Sequence, residues 1–392
     1  MSESFPLPFN RSFGKRLLYG LLLCASLLGV DLAQRKGAIP MARALWPDAE
    51  AAIGAGPLVL QARGQIPMPD KTPAAHASSL LALPRGHPSA LLAFWFAGTR
   101  ESAPDVQIAA SQFDRASQQW SAARFVVNRH AMAKDLGFGV RRLGNPVAWL
   151  DAAGRIHLFV VATGLGGWAA ARIVHLKQNN ADQNFEKLSF DVVRVLPLSW
   201  LWNTSFLVRT APLLLKDGGM LLPVHFELGI KYPVALRFDA SGEFKGMMRI
   251  SSRTPLLQPT LLVLDQSHWL ALMRDQRAVH KIAVAQTTDG GQTWSDAADL
   301  ALDNPNASVA ALTLAPGRLL LAHNSLPHSR ALLDLSASAD GRNWSLLQTL
   351  AQGTDSDEYS YPALAWADGS LWLSYTDQRR SIAWQRFAFD PR

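Results

Sequence analysis

The sequence predicts an all-β domain that follows a single apolar N-terminal helix. From about residue 75 onward, apolar runs of strand length recur; they are rich in Val, Ile, Trp and Phe, and turn-forming residues close them. None of these runs is long enough, or regular enough at helical spacing, to predict a helix. With 48% hydrophobic and 18% charged residues, the 392-residue chain can bury a sizeable core.

The first predicted element is the N-terminal helix. Residues 1–16 contain Arg11, Lys15 and Arg16 and predict a cytoplasmic basic tail, whereas residues 17–33 predict a membrane anchor or signal segment. A spanning helix needs ~20 residues, close to the length of this segment. No clean cleavage site is present, because Asp31 stands where a small residue is expected, and this favours an uncleaved anchor. We therefore expect the following domain to face the periplasm from the inner membrane, or to be secreted if the segment is cleaved.

The second element is a connecting segment. Residues 34–70 are rich in Ala, Gly and Pro and predict a tether, which leaves residues 71–392 for the β domain. Of the formal net charge of +7, residues 1–43 hold six basic against two acidic side chains, so the β domain is only mildly basic. It has no run of Lys and Arg with interleaved aromatic residues, the pattern that follows a phosphate backbone. The sequence predicts no nucleic-acid partner and leaves the oligomeric state open.

Several classes of site are excluded by residues that the chain lacks. Cys24 is the only cysteine, so the β domain has no disulfide bond and no thiol chemistry. The sequence contains no HExxH motif, no clustered Cys/His set and no P-loop. We therefore predict neither a metal nor a cofactor.

Within the β domain a turn motif recurs. Residues Thr287 to Trp294 match the Asp-box pattern Ser/Thr-x-Asp-x-Gly-x-Thr-Trp, and residues 338–344 repeat it one residue shorter. In such a hairpin the Asp accepts hydrogen bonds from amides of the turn, and Gly supplies a positive φ. Asp289 and Asp340 lie about one four-stranded propeller blade apart. We interpret both as structural turns; the alternative is an aspartate that binds calcium or acts in catalysis.

Seven short segments carry a family resemblance. They are His76 to Ser79, Trp95 to Glu101, Asn145 to Val147, Leu221 to Glu227, Asn304 to Asn306, His323 to Ser325 with Arg330, and Glu358 to Pro362. In this order, and with two Asp boxes between them, they resemble the bacterial predicted neuraminidases, a family related to sialidases, from about residue 71 to residue 387. The resemblance implies a six-bladed sialidase-type β-propeller whose loops converge on a central carbohydrate site.

The resemblance also implies roles for individual residues. Sialidases bind an acidic sugar through three arginines, attack its anomeric carbon with a tyrosine that a glutamate activates, and protonate the leaving group with an aspartate. Guanidinium groups match a carboxylate in a bidentate manner, and a phenol needs a base before it becomes a good nucleophile. Tyr361 stands at the position of the tyrosine, and Arg274 and Arg330 match two of the arginines.

Three positions depart from the sialidase pattern. Lys71 stands in the stretch comparable to the first arginine, and Gln258, which cannot act as a base, stands where the glutamate is expected. The acid is Glu101, Asp105 or missing. A histidine or glutamate beside Tyr361 is an alternative base, for which His76 and Glu227 are the candidates.

The candidate site residues fall into two groups. The catalytic candidates are Tyr361, Glu101, Asp105, His76 and Glu227. The substrate-binding candidates are Arg274, Arg330, Arg100, His225, Gln258, Asn304, Asn324, Glu358 and Lys71. Alternatives stay open for each type: a surface ion pair for an arginine, a hydrogen-bonded core residue for a histidine, and a core aromatic with a hydrated hydroxyl for the tyrosine.

Three functions are compatible with this set. The first is an exo-glycosidase that acts on an acidic or deoxy sugar in an exported polysaccharide or glycoconjugate. The second is a polysaccharide lyase that performs β-elimination at a uronate, with arginine neutralising the carboxylate. The third is a non-catalytic glycan-binding propeller within a polysaccharide assembly. For all three we expect a glycan or a small sugar as the partner, and we expect the N-terminal segment to contact the membrane.

Overall fold

The computed structural model describes residues 11–34, 39, 41–46, 56–180 and 184–390. The first ten residues of the predicted cytoplasmic tail and much of the predicted tether lie outside these ranges. Helix α1 covers Arg11–Gln34, and its stretch Phe13–Asp31 is long and apolar enough to cross a membrane. A signal sequence has the same properties, so the helix agrees with export of the domain that follows.

All other large elements are strands, which form six antiparallel sheets. The strand β1 (Leu58–Gln65) comes first in the chain. Blade 1 contains β2 (Ala74–Ala82), β3 (Ser89–Gly98), β4 (Gln107–Asp114), β5 (Gln119–Trp120) and β6 (Arg124–Val127), and the short helix α2 (Arg129–Leu136) follows. Blade 2 contains β7 (Arg142–Leu150), β8 (Ile156–Thr163), β9 (Ala171–Gln178) and β10 (Phe190–Val195), with 3₁₀ turns at Gly167–Ala170 and Phe185–Lys187.

The remaining blades repeat this order. Blade 3 contains β11 (Phe206–Val208), β12 (Leu213–Leu214), β13 (Met220–Leu228), β14 (Ile230–Phe238) and β15 (Phe244–Arg249). Blade 4 contains β16 (Leu256–Val263), β17 (Trp269–Asp275), β18 (Ala283–Thr287) and β19 (Ser295–Ala297). Blade 5 contains β20 (Ala310–Ala315), β21 (Arg318–Asn324), β22 (Leu332–Ser338) and β23 (Ser345–Gln352). Blade 6 contains β24 (Tyr359–Ala367), β25 (Ser370–Asp377) and β26 (Ser381–Phe389).

The first strand of the chain closes the ring. β1 pairs antiparallel with β26, from Leu58 opposite Phe389 to Gln65 opposite Ala383, and supplies the fourth strand of blade 6. The predicted tether boundary at residue 70 is therefore wrong for this stretch, whose alternating Leu58 and Leu60 pack on the blade. The fold itself is the predicted six-bladed, all-β propeller.

The hydrophobic core lies within the sheets and between neighbouring blades. Each blade is buried on both faces, and four tryptophans at most 2% exposed fill spaces between the strands: Trp95, Trp149, Trp269 and Trp372. The inner strands β24, β2 and β7 lie side by side around the axis, as do β16, β20 and β24. This packing fixes the inner-strand residues that reach the central channel.

The two Asp boxes form hairpin turns. Asp289 accepts hydrogen bonds from the amides of Gln292 and Thr293, both at 2.9 Å, and the indole of Trp294 donates to the carbonyl of Gly291 at 3.2 Å. Asp340 accepts in the same way from two amides of its own turn, both at 2.8 Å. Amides of the turn therefore donate hydrogen bonds to both carboxylates, in agreement with the interpretation of the Asp boxes as structural turns.

Candidate functional site

The centre of the site is built by irregularities at corresponding positions of the inner strands. In β7, β16 and β24 the pairing register shifts at a residue with positive φ that precedes a proline: Asn145 (42°), Gln258 (49°) and Tyr361 (55°). In β2 the same shift occurs at Ala77, with a φ of 57°. A bulge of this kind re-aims a side chain. Since Gln258 in blade 4 reaches Tyr361 in blade 6, both side chains extend across the axis.

The Tyr361 hydroxyl oxygen accepts two hydrogen bonds from nitrogen donors. One comes from Nε2 of Gln258 at 3.3 Å and the other from Nη1 of Arg274 at 3.5 Å. The same Nη1 donates to Oε1 of Gln258 at 3.4 Å, which orients the amide so that its NH₂ group faces the tyrosine. Among the described residues, no carboxylate is hydrogen-bonded to Tyr361.

Arg274 is held in place by a neighbouring blade. Its Nε donates to Oδ1 of Asn306 at 2.6 Å, and Asn306 adopts a positive φ of 55° just before blade 5. The backbone carbonyl of Asn306 also accepts from Nη2 of Arg330 at 3.0 Å. Asn306 therefore links two arginines that the sequence predicted to bind substrate.

A carboxylate at the start of β24 joins two arginines. Glu358 accepts from Nη1 of Arg330 at 2.9 Å, from Nε of Arg379 at 2.7 Å and from the hydroxyl of Ser360 at 2.7 Å. Arg379 also forms an ion pair with Glu101. Burial raises the pKa of Glu358, but the hydrogen bonds and the nearby guanidinium charges outweigh it and bring the pKa to about 2. Glu358 is therefore ionised at neutral pH.

Two buried side chains flank the tyrosine ring. The guanidinium carbon of Arg209 lies 4.9 Å from the centre of the Tyr361 ring, and Arg209 donates to the backbone carbonyls of Ser78 and Pro362. Burial lowers the pKa of Arg209 to about 10, so it stays charged at neutral pH. The His76 ring centre lies 4.2 Å from that of Tyr361, and its Nδ1 is buried without a hydrogen-bond partner. Burial, aided by the charge of Arg379, holds the pKa of His76 well below its usual range, so the ring is neutral.

A histidine–glutamate pair lies at the end of β13. Nε2 of the buried His225 lies 3.3 Å from Oε2 of Glu227, and the ammonium of Lys231 lies 3.5 Å from the other carboxylate oxygen. Burial lowers the pKa of His225, and the hydrogen bond from His225 helps to lower the pKa of Glu227 against the effect of burial. The charge of Arg274 acts on both groups. This pair is therefore a second polar cluster, close enough to Arg274 to feel its charge.

The other candidates are placed differently. Asp105 accepts from the amide and the hydroxyl of Thr99, at 2.9 and 3.0 Å, and so stabilises its own loop. The exposed Arg100 lines a small cavity together with His76 and Glu101, whereas Lys71 is exposed in a turn before β2.

The two asparagine candidates bind the backbone. The amide of Asn304 accepts from the N–H of Ala307 at 2.8 Å, while its own NH₂ group is buried without a partner. The NH₂ group of Asn324 donates to the carbonyls of Arg330, Leu332 and Tyr359 at 2.8–3.2 Å. Asn324 thus positions the loop that carries Arg330 and the strand that carries Tyr361.

Three contributors to the cluster were not predicted from the sequence: Arg209, Arg379 and Asn306. Arg209 directly follows the apolar stretch 206–208, just as Glu227 directly follows the largely apolar run that begins at Leu221. A charged residue at the end of an apolar run is therefore the sequence signal that could have identified Arg209. Arg379 lies in the hairpin between β25 and β26, and only the three-dimensional fold brings it to Glu358.

The local charge around Tyr361 is positive. The four guanidinium groups of residues 209, 274, 330 and 379 outnumber the two carboxylates of residues 101 and 358, and this excess favours an acidic ligand. No group of three or more His, Cys, Asp or Glu residues suited to a metal ion occurs in the part of the chain that the structure describes.

Comparison with known proteins agrees with this architecture. Residues 89–373 match the model of the BNR repeat-like domain. The fold is similar to Hadza microbial sialidase Hz136, with a TM-score of 0.63, 17% identity and coverage of 80% of this chain and 65% of that one. A protein of unknown function from Dyadobacter fermentans gives a TM-score of 0.65 and 13% identity over 85% and 99% of the two chains. Trypanosoma rangeli sialidase in complex with sialic acid gives a TM-score of 0.62 and 12% identity, with coverage of 85% of this chain and 59% of that one.

These similarities concern the fold. The chain spans less than two thirds of the length of the two sialidases but nearly all of the Dyadobacter protein. A search of curated proteins found no match.

Proposed function

Because the chain belongs to the BNR repeat-like domain family, whose fold it shares with sialidases, we propose that it is a glycan-active enzyme of the sialidase superfamily. Its proposed reaction is exo-glycosidic cleavage of an acidic sugar bound at Tyr361. One observation carries the proposal: the Tyr361 oxygen accepts N–H donors from Gln258 and Arg274 at the centre of a cluster with excess positive charge.

The positive cluster selects the substrate. A sugar carboxylate gains most from bidentate guanidinium contacts in a site with little water. Arg274 contacts the Tyr361 oxygen, and Asn306 holds both Arg274 and Arg330. Arg379 is already engaged by Glu101 and Glu358, so it acts mainly on the electrostatic potential.

Tyr361 is the proposed nucleophile. Its oxygen bonds to the anomeric carbon, the glycosidic oxygen leaves with a proton, and water later cleaves the tyrosyl glycoside, so that its hydroxyl stays on the sugar and its proton returns to the phenolic oxygen. Gln258 and Arg274 stabilise the phenolate that attacks. His76 and Glu227 are the proposed acceptors of the phenolic proton, and the His76 ring packs against the Tyr361 ring. Glu101 is the carboxyl group proposed to protonate the leaving oxygen.

A specific observation also favours a lyase. No described carboxylate is hydrogen-bonded to the Tyr361 oxygen, whereas sialidases place a glutamate there. In β-elimination at a uronate, the phenolate or His76 removes the proton on the carbon beside the carboxylate. The electron pair forms a carbon–carbon double bond, and the glycosidic oxygen leaves with a proton. Arg274 and Arg330 then neutralise the carboxylate and so acidify that carbon.

The location of the reaction follows from helix α1. We propose that α1 is retained as an inner-membrane anchor with the basic N-terminal residues in the cytoplasm and the propeller in the periplasm. The glycan is then one that the cell has exported or that reaches the periplasm from outside.

A product assay distinguishes the candidates. The full-length protein in detergent is incubated with acidic glycans, and new reducing ends are measured together with the ultraviolet absorbance of unsaturated sugars. A hydrolase gives reducing ends without absorbance, a lyase gives both, and binding without either identifies a non-catalytic glycan-binding propeller. Tyr361→Phe should abolish turnover. Its control is Tyr359→Phe in the same strand, whose ring packs on Tyr375. If Tyr361→Phe keeps the wild-type rate, the proposed mechanism is wrong.

A further inference from the structure

An uncharged apolar loop on the propeller touches the end of the candidate membrane span. The connection from β10 to β11 reads Leu196-Pro-Leu-Ser-Trp-Leu-Trp-Asn203 and contains no charged residue. Trp200, Leu201 and Trp202 are 52%, 41% and 51% exposed. Exposed apolar side chains that adjoin one another mark an interaction surface when no part of the protein covers them. We call residues 199–202 the tryptophan loop.

Helix α1 places this loop at a defined depth. The stretch Phe13–Asp31 contains 19 residues, a length of about 28 Å, which matches the ~30 Å hydrocarbon core of a bilayer. Asp31 therefore stands where the span ends. Its side chain is 1% exposed and accepts a hydrogen bond from the Ser199 hydroxyl at 2.8 Å. The loop that holds Asp31 must then lie at the boundary between lipid and water.

The backbone of the loop is suited to that environment. The amides of Leu201 and Trp202 donate to the Ser199 hydroxyl oxygen at 3.2 and 2.8 Å, and the amides of Leu198 and Ser199 donate to Asn203 at 2.9 and 3.3 Å. These groups need no water partner, which lowers the cost of burying them among lipids. Exposed tryptophans are typical of the interfacial layer, where the ring is apolar and the indole N–H reaches water or headgroups.

The loop shares a face of the propeller with the site. It leads into the start of β11, the inner strand of blade 3, and Gln258 and Tyr361 likewise lie near the starts of their inner strands. The amide of Glu227 donates to the carbonyl of Ser205 at 2.8 Å, which joins the connection to the polar cluster at the end of β13. Leu165 and Ile230, 80% and 62% exposed, lie in loops at the same ends of blades 2 and 3.

We propose that the tryptophan loop inserts into the lipid–water interface and turns the site-bearing face of the propeller toward the membrane. The substrate class is then a saccharide carried at the membrane surface, such as the headgroup of a glycolipid, rather than a free polymer. The inference rests on the proposed retention of α1 and, for the substrate, on the proposed glycan activity.

Site-directed spin labelling tests the orientation without any need for turnover. The full-length protein is placed in bilayer nanodiscs of phosphatidylethanolamine and phosphatidylglycerol. One sample is labelled at the natural Cys24, and Cys24→Ser proteins carry the label at Leu201→Cys or at Leu347→Cys. Leu347 is a matched control, because it is a 46% exposed leucine on the outer strand of blade 5. The ratio of collisions with oxygen to collisions with a water-soluble nickel chelate reports depth.

The expected ratio at residue 201 is several-fold higher than at residue 347 and lies between those of residues 347 and 24. A lipid-exposed Cys24 with equal ratios at residues 201 and 347 overturns the proposal and leaves the anchor intact. A water-exposed Cys24 overturns both the anchor and the proposal. In a third outcome, the label at residue 201 becomes shielded from the nickel chelate only when an acidic saccharide is added. This result would assign the tryptophans to sugar stacking and would also overturn the proposal.

Discussion

Replacement of Glu358 by Gln should destabilise the protein at neutral pH. The carboxylate of Glu358 joins Arg330 and Arg379, and its side chain is only 23% exposed. A pKa lowered from 4.5 to about 2 corresponds to about 3 kcal/mol of folding free energy at neutral pH. The neutral amide keeps the shape of the carboxylate but lacks its charge, so the variant should lose most of this contribution.

The pH dependence has a definite sign. Because the pKa of Glu358 is lower in the folded than in the unfolded chain, its contribution is complete above the unfolded value of 4.5 and is lost as the pH falls toward about 2. At about pH 3 it amounts to only about 1 kcal/mol. The difference in unfolding free energy between wild type and Glu358→Gln should therefore shrink by more than half between neutral pH and about pH 3.

Urea unfolding of the full-length protein in detergent, followed by tryptophan fluorescence, measures this difference. The control is Glu243→Gln, since Glu243 pairs with Arg194 at 3.1 Å but is 58% exposed, so that its loss should cost less than about 1 kcal/mol. Equal stabilities of wild type and Glu358→Gln at neutral pH refute the reasoning. A loss that stays constant as the pH falls would show that the carboxylate charge is not its cause.

Three further predictions concern the site and the turns. Arg274→Lys should weaken binding of an acidic sugar about tenfold or more in calorimetry, because an ammonium cannot contact Asn306, Gln258 and a carboxylate together; unchanged affinity contradicts this. Asp289→Ala should lower the melting temperature while a calcium chelator leaves wild type unaffected, since turn amides occupy the carboxylate; melting that depends on calcium contradicts it. His76→Gln should reduce the loss of stability below about pH 6.5, because the pKa of the buried ring lies well below its unfolded value; an unchanged pH profile contradicts it.

The sequence was sufficient to predict the fold because the propeller repeats local signals. Each Asp box specifies a hairpin from its own residues, and the spacing of Asp289 and Asp340 equals one blade. The closing strand β1 could not be found in this way. Its residues Leu58 and Leu60 form a weak alternation in a segment rich in Ala, Gly and Pro, and its partner β26 lies more than 300 residues away.

The geometry of the site was predictable only in part. The prediction that Tyr361 and Arg274 share one centre agrees with the observed contact, whereas their chemical roles remain predictions. Arg379 was not predicted because its neighbours in sequence carry no motif, and Arg209 was not predicted although it ends an apolar stretch. Only the folded ring brings a hairpin of blade 6 and a strand end of blade 3 to the axis. Asp105 stays an untested candidate for the acid, and its observed hydrogen bonds stabilise its own loop through Thr99.

The inner-strand bulges fix the positions of the central side chains through the backbone rather than through the chemistry of those side chains. A positive φ before a proline fixes where the side chains of Asn145, Gln258 and Tyr361 enter the channel, whatever those side chains are. An amide at position 258 keeps the geometry of a carboxylate but donates a hydrogen bond to Tyr361 instead of removing its proton. In the proposed mechanism cations stabilise the phenolate, and Arg274 and Arg209 are the cations that contact the Tyr361 side chain. Under that proposal, the excess of arginines at the axis takes the place of the glutamate that the sialidase pattern has at position 258.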